Sequence, residues 1–224
     1  MNVAMVKTLM YKDWYFLRWA IAGYIAAGVI AFGLMAVGGD GPGFAGAILL
    51  ITALIGAGIH IAIATVVVER TEHTLPFIMS LPVSPIEYTT AKIAANVVIF
   101  LVPWVTLLVG AVGLILLGPQ EHHGAIPYVV LILTEILLGY CIILAVALVS
   151  ESMAWTIIAT VFTNLLFQGF FHYVVHHPVL SVQMKGSVIV WSGPAAALLA
   201  GEVVVIALLL SATFWFQSRK TDFL

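Results

Sequence analysis

Charge is scarce in this sequence. Only 8% of its 224 residues are Asp, Glu, Lys or Arg, against roughly 25% in an ordinary soluble domain. A fold of this length with so few charges has nothing to keep its surface in water, which excludes a soluble globular protein. Cysteine is scarcer still. Cys141 stands alone inside an apolar run, so it forms no internal disulfide and reads as a small core hydrophobe. Catalytic signatures are missing too. There is no His-Glu-x-x-His, no Gly-x-Ser-x-Gly and no phosphate-cradling Gly-x-x-x-x-Gly-Lys-Ser/Thr, so the chain is not expected to be an enzyme. No basic patch points to nucleic acid, and the net charge of −2 points to no partner. Lys7, Lys12, Asp13 and Arg18 precede a full-length apolar run with no small-residue cleavage site, which is not the pattern of a cleaved signal peptide.

What the sequence has is apolar length: 63% hydrophobic residues and a mean hydropathy of +1.17. One membrane span needs about 20 apolar residues. Six such runs are found, at about 19–37, 44–68, 93–117, 126–149, 153–171 and 195–216, with room for short loops and none for a separate nucleotide-binding domain. The expected fold is an all-α integral membrane protein, a single transmembrane domain over 1–224. Seven of the 8 basic residues (Lys7, Lys12, Arg18, Arg70, Lys92, Arg219, Lys220) fall on one side of a six-span layout and only Lys185 on the other. Lys and Arg are retained on the cytoplasmic side, so both ends are expected there. Trp14, Tyr15, Trp19, Trp191, Trp215 and Phe216 sit near the proposed span ends, as interfacial anchors do.

The longest polar segment, Glu69–Lys92, has an unusual build. Thr74 can cap a short helix whose first turn contains Pro76. Leu75, Phe77, Ile78, Met79 and Leu81 give it a nearly continuous apolar surface, and Pro82 and Pro85 end it. A second helix starting near Ser84 leads through Lys92 into the third span. A short apolar helix outside the bilayer must bury its face on the membrane or on a partner. The absence of Lys and Arg between Arg70 and Lys92 favours a protein partner.

The pattern Glu69-Arg70-x-x-x-Thr74-Leu75-x-x-x-x-Ser80-Leu81-Pro82-Val83-Ser84, then Glu87-Tyr88 and Ala91-Lys92, resembles the permeases of type-2 ABC transporters. It departs from them at Thr71 and His73, where an acid and a glycine are common. The resemblance implies six helices with cytoplasmic ends, an amphipathic N-terminal helix (Lys7–Arg18 here), and an outer hairpin of partial helices (His172–Pro194 here). It also implies a coupling helix that docks on a separate ATPase: Leu75, Phe77, Ile78, Met79, Ser80, Leu81 and Pro82 would touch it, with Glu69, Arg70 and Glu72 bracketing the elbow. Two ATPase subunits would carry ATP and Mg, with no cofactor on this chain, and a second permease chain, identical or similar, would complete the complex.

Polar residues at membrane depth are candidates for the substrate path, since such groups usually face an interior. Glu135 and Glu202 would line an outward cavity suited to a cationic substrate, with Asn164 and Gln168 as further path residues, or Thr163, Asn164 and Gln168 would join helices. His60 reads first as a structural histidine satisfied by Thr52 or Thr65. Gly23, Gly28, Gly33, Gly56 and Gly58 allow close helix approach, and Pro103 is expected to kink the third span. His122, His123, His172, His176 and His177 enrich the outer side, but only His172 and His176 share ligand spacing, so no metal site is assigned.

The resemblance implies that the chain is the membrane subunit of an ABC transporter, and an exporter of a partly apolar substrate in the inner (cytoplasmic) membrane is the expected function. The alternatives are an ion-coupled carrier using Glu135, Glu202 and His60, a haem- or metal-carrying subunit, and a membrane anchor protein.

Overall fold

The computed structural model describes residues 3–71, 85–118 and 122–219. Among them the chain is all-helical: α1 Val3–Val37, α2 Asp40–Ala62, a π-helical turn Ile63–Val67, α3 Val68–Thr71, α4 Pro85–Leu117, α5 Ala125–Ser150, α6 Met153–His176, α7 Pro178–Met184 and α8 Gly193–Ser218. Six of these helical stretches are long and apolar enough to cross a membrane, in the order and number the hydropathy predicts. The apolar segment Glu72–Pro82, with Leu75, Phe77, Ile78, Met79, Ser80 and Leu81, lies outside the described residues, and so do the side chains of Arg70 and Thr71.

The helices differ from their predicted bounds in an informative way. The N-terminal helix and the first span are one unbroken helix of 35 residues. No proline or glycine falls between Val3 and Ala22 to break it, and a break would free backbone groups that a continuous helix keeps paired. Likewise α4 is one continuous helix of 33 residues that contains Pro103. At 1.5 Å per residue these helices are roughly 50 Å long, well beyond a hydrocarbon core of about 30 Å. Both therefore project from the membrane, with Lys12 and Lys92 on the projecting parts. Beyond His172 the outer segment is a continuation of α6, the single short helix α7, and non-helical chain to Ser192.

Turns follow from local chemistry. Gly38 and Gly39 take φ of 78° and 86° between α1 and α2, a region open to glycine at little cost. Glu151, with φ 53°, is the left-handed residue that ends α5, its N–H donating to the Ala147 carbonyl at 2.9 Å. Ser192 caps α8 by accepting from the Ala195 N–H at 3.5 Å, with Pro194 in the first turn.

The main core lies where α1, α2, α4 and α5 meet, around Leu54, Ala57 and Ile61, Phe100 and Leu107, and Leu133, Leu144 and Ala147. Buried positions on α1 (Val6, Asp13, Leu17, Ile21, Ala31) form one stripe at helical spacing. Half of the most apolar window of α5 is buried, but only 11% of that of α8. In lipid, apolar surface gains nothing by burial, so contact faces are set by shape. Small residues provide it: a side chain at Gly28 would collide with Leu107 and one at Gly110 with Phe32. A Cβ at Gly58 would lie 3.0 Å from Tyr140. Gly23 and Gly33, also predicted to allow close approach, face open space, whereas Gly46, not singled out, packs tightly against the backbone of α1. A Cβ there would sit 2.6 Å from the Ala31 carbonyl oxygen. Because backbone cannot swing aside, Gly46→Leu is expected to force α1 and α2 apart, at about 1–3 kcal/mol. SDS-titration unfolding should show it, with Gly33→Leu as the silent control.

Candidate functional site

Two polar sites stand out in the helical scaffold. The first lies at the projecting ends of α1 and α4. Lys92 is buried, and its ammonium reaches Asp13 of α1 at 2.9 Å and Glu69 of α3 at 2.7 Å. It also donates to the Thr65 carbonyl in the π-helical turn at 3.0 Å. Lys12 pairs with Glu69 and lies 3.5 Å from Asp13. Two cations and two anions thus alternate around one point, which is how a buried charge avoids its desolvation cost. Tyr88 extends the group, its hydroxyl 3.5 Å from Glu69.

A neutral chain continues from this cluster into the bundle. The Thr65 hydroxyl lies 2.7 Å from Asn96 Oδ1 and 2.8 Å from the Ile61 carbonyl, sharing one proton between two acceptors. Asn96 is fully buried and donates through Nδ2 to the Lys92 carbonyl. Tyr140 of α5 donates to the Asn96 carbonyl at 2.9 Å, and its ring stacks on Phe100 at 4.0 Å. Sequence reading placed Lys12, Asp13 and Lys92 only as flanking charges and did not connect them. A signal was present: Asp13 occupies the same helical stripe as Val6, Leu17 and Ile21, where a solvated acid does not belong.

The second site is a half-open cleft between α2, α4, α5 and α6. Its walls include Gly58, Phe100, Glu135, Tyr140, Asn164 and Phe167. Glu135 is the tenth residue after the start of α5 and Glu202 the ninth after the start of α8, roughly 14–15 Å from those ends. That puts both near mid-span. The two carboxyl groups are close enough for their charges to interact. Glu202 is 5% exposed, and neither of its oxygens has a hydrogen-bond partner among the described residues. Glu202 is not part of the cleft wall. Asn164 is in the wall and donates through Nδ2 to the Thr160 carbonyl at 2.8 Å. Thr163 bonds within its own helix. Gln168 is exposed on α6, away from the cleft.

The remaining candidates separate. His60 is not satisfied by Thr52 or Thr65; its Nδ1 lies 3.2 Å from the Tyr24 hydroxyl of α1, while Thr65 is engaged by Asn96. His172 and His176 do share a helical face, their rings 4.0 Å apart, but His176 Nδ1 is held by the His172 carbonyl at 2.8 Å. His177 Nδ1 is buried without a partner. His122 and His123 stand at the turn before α5, their carbonyls accepting from Ala125 and Ile126. Among the described residues no group of three or more His, Cys, Asp or Glu is placed to hold a metal ion.

The six apolar helices make this a multi-pass, all-helical membrane protein. Compared with family models, curated proteins and solved structures, the chain shows no match.

Proposed function

We propose that the chain is the permease subunit of an ABC transporter, working with two separate ATPase subunits and a second permease chain in the cytoplasmic membrane. One observation carries the reading. Glu69, at the root of the loop before the apolar segment, and Lys92, after it, are ion-paired to each other at 2.7 Å and share Asp13 and Lys12 of α1. A force applied to the loop is thereby delivered to α1, α2 and α4 together. Such a clamp suits a device that turns a partner's movement into helix movement, and an inert loop has no use for it. ATP and Mg belong to the partner. With a mostly apolar interior, the substrate is partly apolar, and its path runs by the cleft at Glu135 and Asn164 toward export.

The test is affinity purification in mild detergent. An ATP-binding subunit should co-purify with the wild type and be lost with Phe77→Glu, Met79→Glu. If no ATPase accompanies either protein, the proposal fails. Glu202, buried without a hydrogen-bond partner among the described residues, and Glu135 in the cleft wall support a second reading, an ion-coupled carrier, which requires substrate uptake into proteoliposomes driven by an ion gradient with no ATPase present.

A further inference from the structure

The cleft at Glu135 combines features that suit one kind of ligand. Glu135 lines the cleft near mid-span, and neither it nor Glu202 on the adjoining helix α8 has a cation beside it among the described residues. The nearest cluster of lysines, Lys12 and Lys92, is committed to Asp13 and Glu69. Glu202 is almost fully buried and unpartnered, an arrangement that buried carboxyl groups ordinarily avoid. The Asn164 amide uses its nitrogen on Thr160, and its oxygen has no partner among the described residues. The wall therefore offers two acceptor groups, the Glu135 carboxyl and the Asn164 amide oxygen, beside the second N–H of Asn164. The rings of Phe100, Tyr140 and Phe167 share the other walls with aliphatic side chains such as Leu54, Ile55 and Ile136.

Size narrows the choice. The enclosed room is about 30 Å³, space for roughly two waters, and so for an ammonium head but not for a bulky aromatic cation. The cleft is open on one side, and beside Asn164 the outer face of α6 presents Val161 and Leu165, both exposed and apolar. A chain leaving the cleft would lie along that face.

We propose that this cleft binds a primary amine carrying an alkyl chain, its ammonium held by Glu135 and Asn164 and its chain along α6. The inference names the substrate class for the path described above and rests on that reading of the cleft. Its chemistry does not require the partner ATPase.

The experiment uses the purified chain in phosphatidylcholine nanodiscs and a dansyl-labelled dodecylamine, with the N-acetylated form as an uncharged probe of the same length. Fluorescence polarisation, corrected for empty nanodiscs, should show the amine binding at least tenfold more tightly than the amide. Glu135→Gln should abolish that preference, and Glu202→Gln should reduce it several-fold. Equal binding of amine and amide to the wild type overturns the proposal, as does a preference that survives Glu135→Gln. If Glu135→Gln does not fold, the wild-type comparison together with Glu202→Gln decides the matter. An amine preference in a protein that recruits no ATPase would uphold this site and sink the coupling reading. Recruitment without an amine preference would do the reverse.

Discussion

Lys92→Met should be among the most damaging single substitutions in the chain. It removes the central cation of the cluster and leaves Asp13 and Glu69, both largely buried, with only Lys12 to balance them. Breaking a buried ion pair from one side costs about 3–5 kcal/mol, chiefly because the charge left behind remains desolvated. Lys12→Met removes the other cation, but that side chain is 35% exposed, and an ion pair at such a site is worth about 1 kcal/mol or less. SDS-titration unfolding of the two variants should show this asymmetry, and equal losses would mean that Lys92 is not the centre of the network. Adding Asp13→Asn to Lys92→Met should recover part of the loss, since partners in one network are non-additive. Under the proposed function, Lys92→Met should still co-purify with the ATPase, because the apolar face of the loop is untouched. What it should lose is transport per ATP hydrolysed.

Phe100→Ala is the second large effect. Phe100 is fully buried, stacks on Tyr140 and lies against Gly58. In water its loss would combine a transfer term with a cavity term. In a bilayer the unfolded reference keeps its helices in lipid, so the transfer term largely vanishes and packing remains. Removing about 100 Å³ of ring at about 24 cal/mol per Å³ gives about 2 kcal/mol. Tyr140→Phe keeps the stack and removes only the hydrogen bond to Asn96, which should cost about 1 kcal/mol. Unfolding titrations of the two variants separate packing from hydrogen bonding. A Phe100→Ala variant no less stable than Tyr140→Phe would show that the bundle closes around the missing ring. Because Phe100 also forms part of the cleft wall, the variant should accept a larger amine head than the wild type.

The clamp also explains why a short π-helical turn interrupts α2 where it does. Ile63–Val67 carries the Thr65 carbonyl that accepts from Lys92 and the Thr65 hydroxyl that meets Asn96. Such turns recur at functional sites because they re-aim backbone groups without ending the helix. Here the turn lies between the cleft residues Leu54, Ile55 and Gly58 and Glu69 at the root of the loop, on the only covalent route by which α2 joins the two sites.

The amino-acid sequence by itself determined the class of fold. Apolar runs long enough to span a bilayer are a property of composition along the chain, and no tertiary contact alters them, so the number and order of the helices were legible. Their ends were less so. Hydropathy registers Lys12, Asp13 and Arg18 only as interruptions, although no proline or glycine there breaks α1 and Lys12 and Asp13 are paired in three dimensions. The depth of Glu135 and Glu202 was legible from position within a run, but their convergence on neighbouring helices was not, because α5 and α8 are separated by most of the outer segment and α6. Only the tertiary structure decided which of the scattered charges form one cluster, since Lys12, Asp13, Glu69 and Lys92 meet across gaps of up to 79 residues. The physical reason is that bilayer insertion acts on each helix separately, whereas pairing of buried charges and fitting of glycines such as Gly46 depend on which helices become neighbours.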